Sequence, residues 1–173
     1  MALAIGMFSG CKNDVNEVDA LTSMDNMPIE VRKGVKLYYS QNARVSALLK
    51  AKTMERYAGE EEYTIMPDGV YLETYDSVMT VTSSLEADYG IQLTDKNLME
   101  AKGNVRVVNE KGEKLNTEQL FWDTERREIY TDLPVKIITA DQIIEGDGLV
   151  SNEDFSEYRI KKISGIISLE DDE

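Results

Sequence analysis

From Ile29 onward, apolar and polar residues alternate along the chain. Val31, Val35, Leu37 and Tyr39 fall on odd positions around Gly34, the spacing of two that marks a half-buried strand. Arg44–Leu49 and Thr53–Tyr57 predict further strands. Glu60-Glu61-Glu62 reads as a solvated turn. Tyr63–Met66 is a strand, Pro67-Asp68-Gly69 a turn, and Val70–Thr74 the return, since Pro, Asp and Gly together favour tight chain reversal. Val78–Ser84 is rich in β-branched residues that suit a pleated surface. Asn109-Glu110-Lys111-Gly112 predicts a hairpin turn.

The clearest unit is Lys114–Ile138. Leu120 and Trp122 share one face, with Phe121 on the other. Asp123–Arg127 is a charged turn, Glu128–Thr131 returns, and Val135, Ile137 and Thr139 alternate with Lys136 and Ile138. The unit also recurs. Leu85–Val108, Leu115–Ile138 and Ile144–Ile167 each open on an aliphatic residue. Each has a small residue two places on (Ala87, Thr117, Gly146), an acidic turn near the middle and an aliphatic pair at the end. The starts are 30 and 29 residues apart, and a looser copy begins at Leu49 with Ala51. Such a period predicts stacked supersecondary units; an ordinary β-meander with strands of similar length is the plainer alternative. With turn signals throughout and no strong amphipathic helix, the fold class is all-β: a sandwich, a jelly roll or an open, solenoid-like pair of sheets.

Composition narrows the chemistry. The chain has 33 acidic and 19 basic residues, a net charge of −14. That balance disfavours nucleic acid, whose phosphates need a basic surface. It equally disfavours electrostatic docking on anionic lipid. There is no histidine and a single cysteine, Cys11. The Ser-His-Asp and Cys-His arrangements and the common zinc sites are therefore excluded, as is an intramolecular disulfide. Gly146-Asp147-Gly148 lacks the third glycine of a phosphate-binding loop. No cofactor or metal is expected.

Met1–Gly10 is apolar and small and runs into Cys11. It is shorter than the roughly 20 apolar residues that a membrane-spanning helix needs, and reads as the hydrophobic end of a secretory signal. Phe8-Ser9-Gly10-Cys11 resembles a bacterial lipobox, in which the cysteine is acylated; a buried free cysteine is the alternative. The basic residue with which such signals open is absent before Lys12. The expected organisation is a signal end and lipobox at 1–11, a tether at 12–30, and a β-domain at 31–173.

The second half carries a family resemblance. Leu120-Phe121-Trp122-Asp123, Ile129–Ile137 and Glu145-Gly146-Asp147-Gly148-Leu149 resemble the LptC family of periplasmic lipopolysaccharide-export components, in the form found in the Bacteroides group. The resemblance spans roughly Gly34–Leu169 and is most specific from Asn116 to Ile167. It implies an open, twisted jelly roll of two antiparallel sheets, a fold shared with LptA and the soluble domain of LptD. Many family members carry a transmembrane helix where this chain has its lipobox. The lipobox, in place of that helix, implies a lipid anchor on Cys11 that tethers the domain in the periplasm, with the inner membrane expected as its site.

Alternation nominates Val105, Val107, Leu120, Trp122, Ile129, Val135, Ile137, Ile143 and Leu149 for the inner faces of the sheets. By pattern alone these residues suit a closed core; the resemblance implies a lipid-binding trough. Burial of acyl chains, worth about 0.8 kcal/mol per CH₂, would reconcile an anionic ligand with an anionic protein. Arg126, Arg127, Lys161 and Lys162 are the tight basic pairs of the repeats. They meet headgroup phosphate on one reading and form a solvated face on the other. The last strand ends the sheet. The resemblance implies that its edge, through Tyr158, Ile160, Ile163, Ile166, Ile167 and Leu169, receives an LptA-like bridge protein by strand pairing. The N-terminal side then faces an LptBFG-type ABC transporter.

Three functions follow. The first is a non-enzymatic conduit taking lipopolysaccharide from an inner-membrane transporter to a bridge protein. The second is a structural or LptA-like envelope lipoprotein with a closed sandwich and no lipid ligand. The third is a carboxylate enzyme, which needs two acids about 5–10 Å apart in a cleft, and it ranks last because the acids cluster in turns.

Overall fold

A computed structural model describes residues 27–41, 43–59 and 62–169. The predicted signal end, Cys11 and most of the tether lie outside the described residues, as do Glu60-Glu61 and the acidic tail 170–173. The described residues form β1 (Glu30–Gln41), β2 (Arg44–Tyr57), β3 (Tyr63–Met66), β4 (Val70–Tyr75), β5 (Val81–Ala87), β6 (Tyr89–Leu93), β7 (Leu98–Asn109), β8 (Lys114–Asp123), β9 (Glu128–Ile138), β10 (Gln142–Asn152) and β11 (Tyr158–Ser168), with a single 3₁₀ turn at Thr94–Lys96. All pairings are antiparallel. The fold is the expected all-β jelly roll. Its two layers belong to one hydrogen-bonded sheet of eleven strands.

The pairings explain how one sheet makes two layers. The first half of β2 pairs with β4 and its second half with β3. The first half of β7 pairs with β6 and its second half with β5. The chain passes directly from β3 to β4 through Pro67-Asp68-Gly69, and from β5 to β6 through Asp88. Each of these pairs is therefore one long strand interrupted at a bend, and the eleven strands act as nine folded strands in simple chain order. One leaf holds β4, β5 and the halves of the long strands beside them. The other holds β3, β6 and the remaining halves. Strain at the crease falls on residues that tolerate it: Gly103 has φ 73° and Gly148 has φ 74°, a region that side chains with a Cβ avoid.

The predicted repeat is a pair of folded strands. Leu85–Val108 covers β5, β6 and most of β7, Leu115–Ile138 covers β8 and β9, and Ile144–Ile167 covers β10 and β11. The recurring small residues Ala51, Ala87, Thr117 and Gly146 are all buried. They lie near the crease, where the leaves converge and volume is least. Two local expectations differ. Arg44–Leu49 and Thr53–Tyr57 belong to one continuous strand. The strand predicted from Val78 begins at Val81, because the Asp76 carboxylate accepts the Val78 and Thr80 amides at 2.9 and 2.8 Å and closes a turn there.

The leaves pack on one apolar cluster that draws on both. It includes Leu49, Val105, Val107, Leu115, Val135 and Ile137 from one leaf, and Met66, Ala101, Leu120, Ile129 and Leu149 from the other. Polar groups in the interior are satisfied. Thr117 donates to the Pro134 carbonyl at 2.9 Å, and the fully buried Thr131 hydroxyl accepts the Leu133 amide at 3.1 Å. Outside, aromatic pairs stitch neighbouring strands: Tyr57 stacks on Tyr63 and Phe121 on Tyr130.

Candidate lipid site and strand edges

Most of the predicted inner stripe lies together. Val105, Val107, Leu120, Ile129, Val135, Ile137 and Leu149 are buried in the shared cluster, and Trp122 packs on it half-buried. Ile143 does not belong to it. In register it faces Ile138 and Ile167, whereas Ile144 faces the buried Ile137 and packs on the cluster. The alternation slips by one residue at Gly148, where the strand turns the crease, so Leu149 and Ile144 share the interior despite opposite parity. A similar slip within β8 puts both Leu115 and Leu120 inside. Strict alternation therefore misses Leu115.

Around Phe155 the interior is filled. Between Val107, Leu115, Ile137, Leu149, Phe155 and Tyr158 there remains a void of about 10 Å³, room for one water at most. The rim is more open. A groove of about 840 Å³ crosses the bends of the last strands, lined by Leu133, Pro134 and Val135 among charged residues of both signs. The predicted basic pairs are neutralised by carboxylates: Arg126 by Asp123, Arg127 by Glu153, Lys161 by Asp132 and Lys162 by Asp147. Ion pairs this exposed contribute little to stability, but they place an acid beside each of these four cations.

Among the described residues, both ends of the stack are strand edges: β1 pairs only with β2, and β11 only with β10. On β11, Tyr158 and Ile160 pack against the core, while Ile163 and Ile166 are 55% and 58% exposed. Ile163 faces Gly146 and Ile166 faces Ile144, so both continue the inner face past the point where the opposite leaf covers it. Ile167 lies opposite Ile143 and is exposed. Leu169 follows the strand and donates its amide to the Asp141 carbonyl at 2.7 Å.

A two-leaved stack of folded hairpins, with an apolar seam from end to end, is the architecture expected of the LptC resemblance. A family model described as "Lipopolysaccharide-assembly, LptC-related" matches residues 2–164. The chain belongs to the LptC-related family. No curated protein matches it. Membership makes it a component of lipopolysaccharide transport and envelope biogenesis. Among the described residues, no helix is long and apolar enough to cross a membrane.

Proposed function

We propose that this LptC-family domain receives lipopolysaccharide from an inner-membrane ABC transporter and passes it to an LptA-like bridge protein, holding the acyl chains between its two leaves. The observation that supports this most is the continuity of the seam. Among the described residues, apolar side chains run from Leu37 on β1 to Ile160 on β11 without a buried charge, and end at strands with one neighbour each. Apolar burial needs no positive charge, which suits a protein of net charge −14. The β11 edge offers unpaired backbone groups to a partner strand, so that one seam continues into the next. A lipid anchor on Cys11 holds the domain at the inner membrane facing the periplasm. The energy comes from the transporter.

The filled interior favours a second reading, a structural envelope lipoprotein whose leaves stay closed. One experiment separates the two. Photocrosslinking residues are placed in cells at Trp122 and Ile166 on the inner side, and at Lys136, which is outward and paired with Glu145. Lipopolysaccharide adducts at Trp122 and Ile166 but not at Lys136 are expected. Adducts at Lys136 alone, or none, leave the closed sandwich standing.

A further inference from the structure

The connections at the open rims mostly turn within one leaf; the β10–β11 connection does not. β10 ends beside the Asp123–Glu128 turn, at the rim opposite the Asn109–Lys114 turn. From there the chain reaches across. Asn109 Nδ2 donates to the Phe155 carbonyl at 3.1 Å, linking residues 46 apart in sequence. Glu113 and Tyr158 both line the small gap beside this contact. At the near rim the segment is held by Glu153, which accepts from Trp122 Nε1 at 3.0 Å and from Arg127 Nε at 2.8 Å. Phe155, only 5% exposed, sits in the cluster between Val107, Leu115, Ile137 and Leu149.

The backbone holds this ring in place at a cost. Phe155 has φ 56°, a conformation that bulky residues rarely adopt and that persists only where packing enforces it. The side chain is thus an apolar group from a surface connection, occupying space between two leaves that otherwise meet strand to strand. The fixed end has a charge-assisted anchor, and the far end has one neutral hydrogen bond.

We propose that Phe155 is a resident plug in an acyl-chain site, and that the 152–157 connection is a clasp that lifts from the Asn109–Glu113 rim when lipid enters from the side. The ligand class is an acyl chain, which replaces the ring against Val107, Leu115, Ile137 and Leu149. Lifting pivots on Glu153, so Trp122 and Arg127 keep their partner in both states. The inference rests on the conduit function proposed above, and it adds how a filled interior admits its cargo.

The test uses the folded domain with cis-parinaric acid, a fluorescent fatty acid, as the probe. Asn109→Asp loses the donor to the Phe155 carbonyl, and with it the contact to the Glu113 carboxylate, while still accepting the Lys111 and Glu113 amides that hold the turn, and it leaves the ring in place. A clasp closed most of the time lowers apparent affinity by the open fraction, so losing one neutral hydrogen bond should tighten apparent binding roughly fivefold. Phe155→Ala should tighten it further and raise the emission at saturation. Unchanged or weaker binding by Asn109→Asp overturns the clasp, whether or not Phe155→Ala folds. Failure here with intact lipopolysaccharide crosslinking at Trp122 and Ile166 removes the clasp alone; loss of that crosslinking removes the conduit.

Discussion

Trp122 on β8 gives its indole N–H to Glu153 in the β10–β11 connection, and the same carboxylate holds Arg127. One acid thus ties two neighbouring turns into a rim. Glu153→Ala strands the indole donor of the only tryptophan and should cost about 1–2 kcal/mol. Urea unfolding followed by indole emission measures both the loss and the change around Trp122. Glu153→Gln keeps an acceptor and loses only an exposed ion pair, so it should stay within about 0.5 kcal/mol of wild type. Equal losses in the two variants would show that charge, not the indole bond, sets the value.

Gly146 and Gly165 lie in adjacent strands yet differ in their surroundings. A Cβ at Gly146 would meet Ile160 Cγ2 at 2.5 Å and the Ile163 Cα at 3.2 Å, whereas at Gly165 it would meet nothing within 4 Å. Gly146→Ala should therefore destabilise by about 1–3 kcal/mol and loosen β11, read as faster amide exchange there. Gly165→Ala should be close to neutral. A stable, well-protected Gly146→Ala protein would contradict the tight seating of β11 over the crease.

Proline at Ile163 or Ile166 removes a backbone donor from the terminal strand. The core side of β11 rests on Tyr158 and Ile160, so the domain should remain folded in both variants. Binding of an LptA-like protein, measured by co-purification, should be lost. Normal binding by both variants would count against pairing at this edge.

Glu73 accepts from Tyr71 at 2.9 Å and Tyr75 at 2.6 Å, with Lys50 at 3.5 Å. The bond to Glu73, more than burial, pushes the Tyr75 hydroxyl up to about 12, and the same bond lowers the Glu73 carboxyl. A raised tyrosine contributes its stability in full below its unfolded value of 10.0 and loses it as pH rises through about 12. The depressed carboxyl contributes above its ordinary 4.5 and loses that as pH falls. The wild-type melting temperature should drop more steeply than that of Tyr75→Phe above pH 10, and the variant should lack the last tyrosinate in an ultraviolet titration. Parallel curves would show that the cluster carries no net energy.

The strands and the repeat were legible because period-two alternation and turn residues are local signals. Pro67-Asp68-Gly69 and Asn109–Gly112 bend the chain where their chemistry says they should. The crease was not legible as a crease, although its residues were visible. Ala51, Ala87, Thr117 and Gly146 stood out as a repeating small position, and their meaning came only once the strands were seen to fold there. Parity carried the inner stripe as far as the first irregularity and then failed. Strict alternation picks Ile143 in place of Ile144 and misses Leu115, because a one-residue slip reverses every side chain beyond it. Phe155 had no periodic signal at all: it lies in an irregular connection, and only the distance to Asn109 reveals its place.

Because each strand neighbours the next along the chain, the molecule grows by simple addition. Neighbouring strands stand about 4.8 Å apart, so the nine folded strands span roughly 40 Å, and one more hairpin would lengthen the whole by about 10 Å. Reach across a gap is thus written as copy number, adjustable by duplicating one short genetic segment while leaving every existing contact in place.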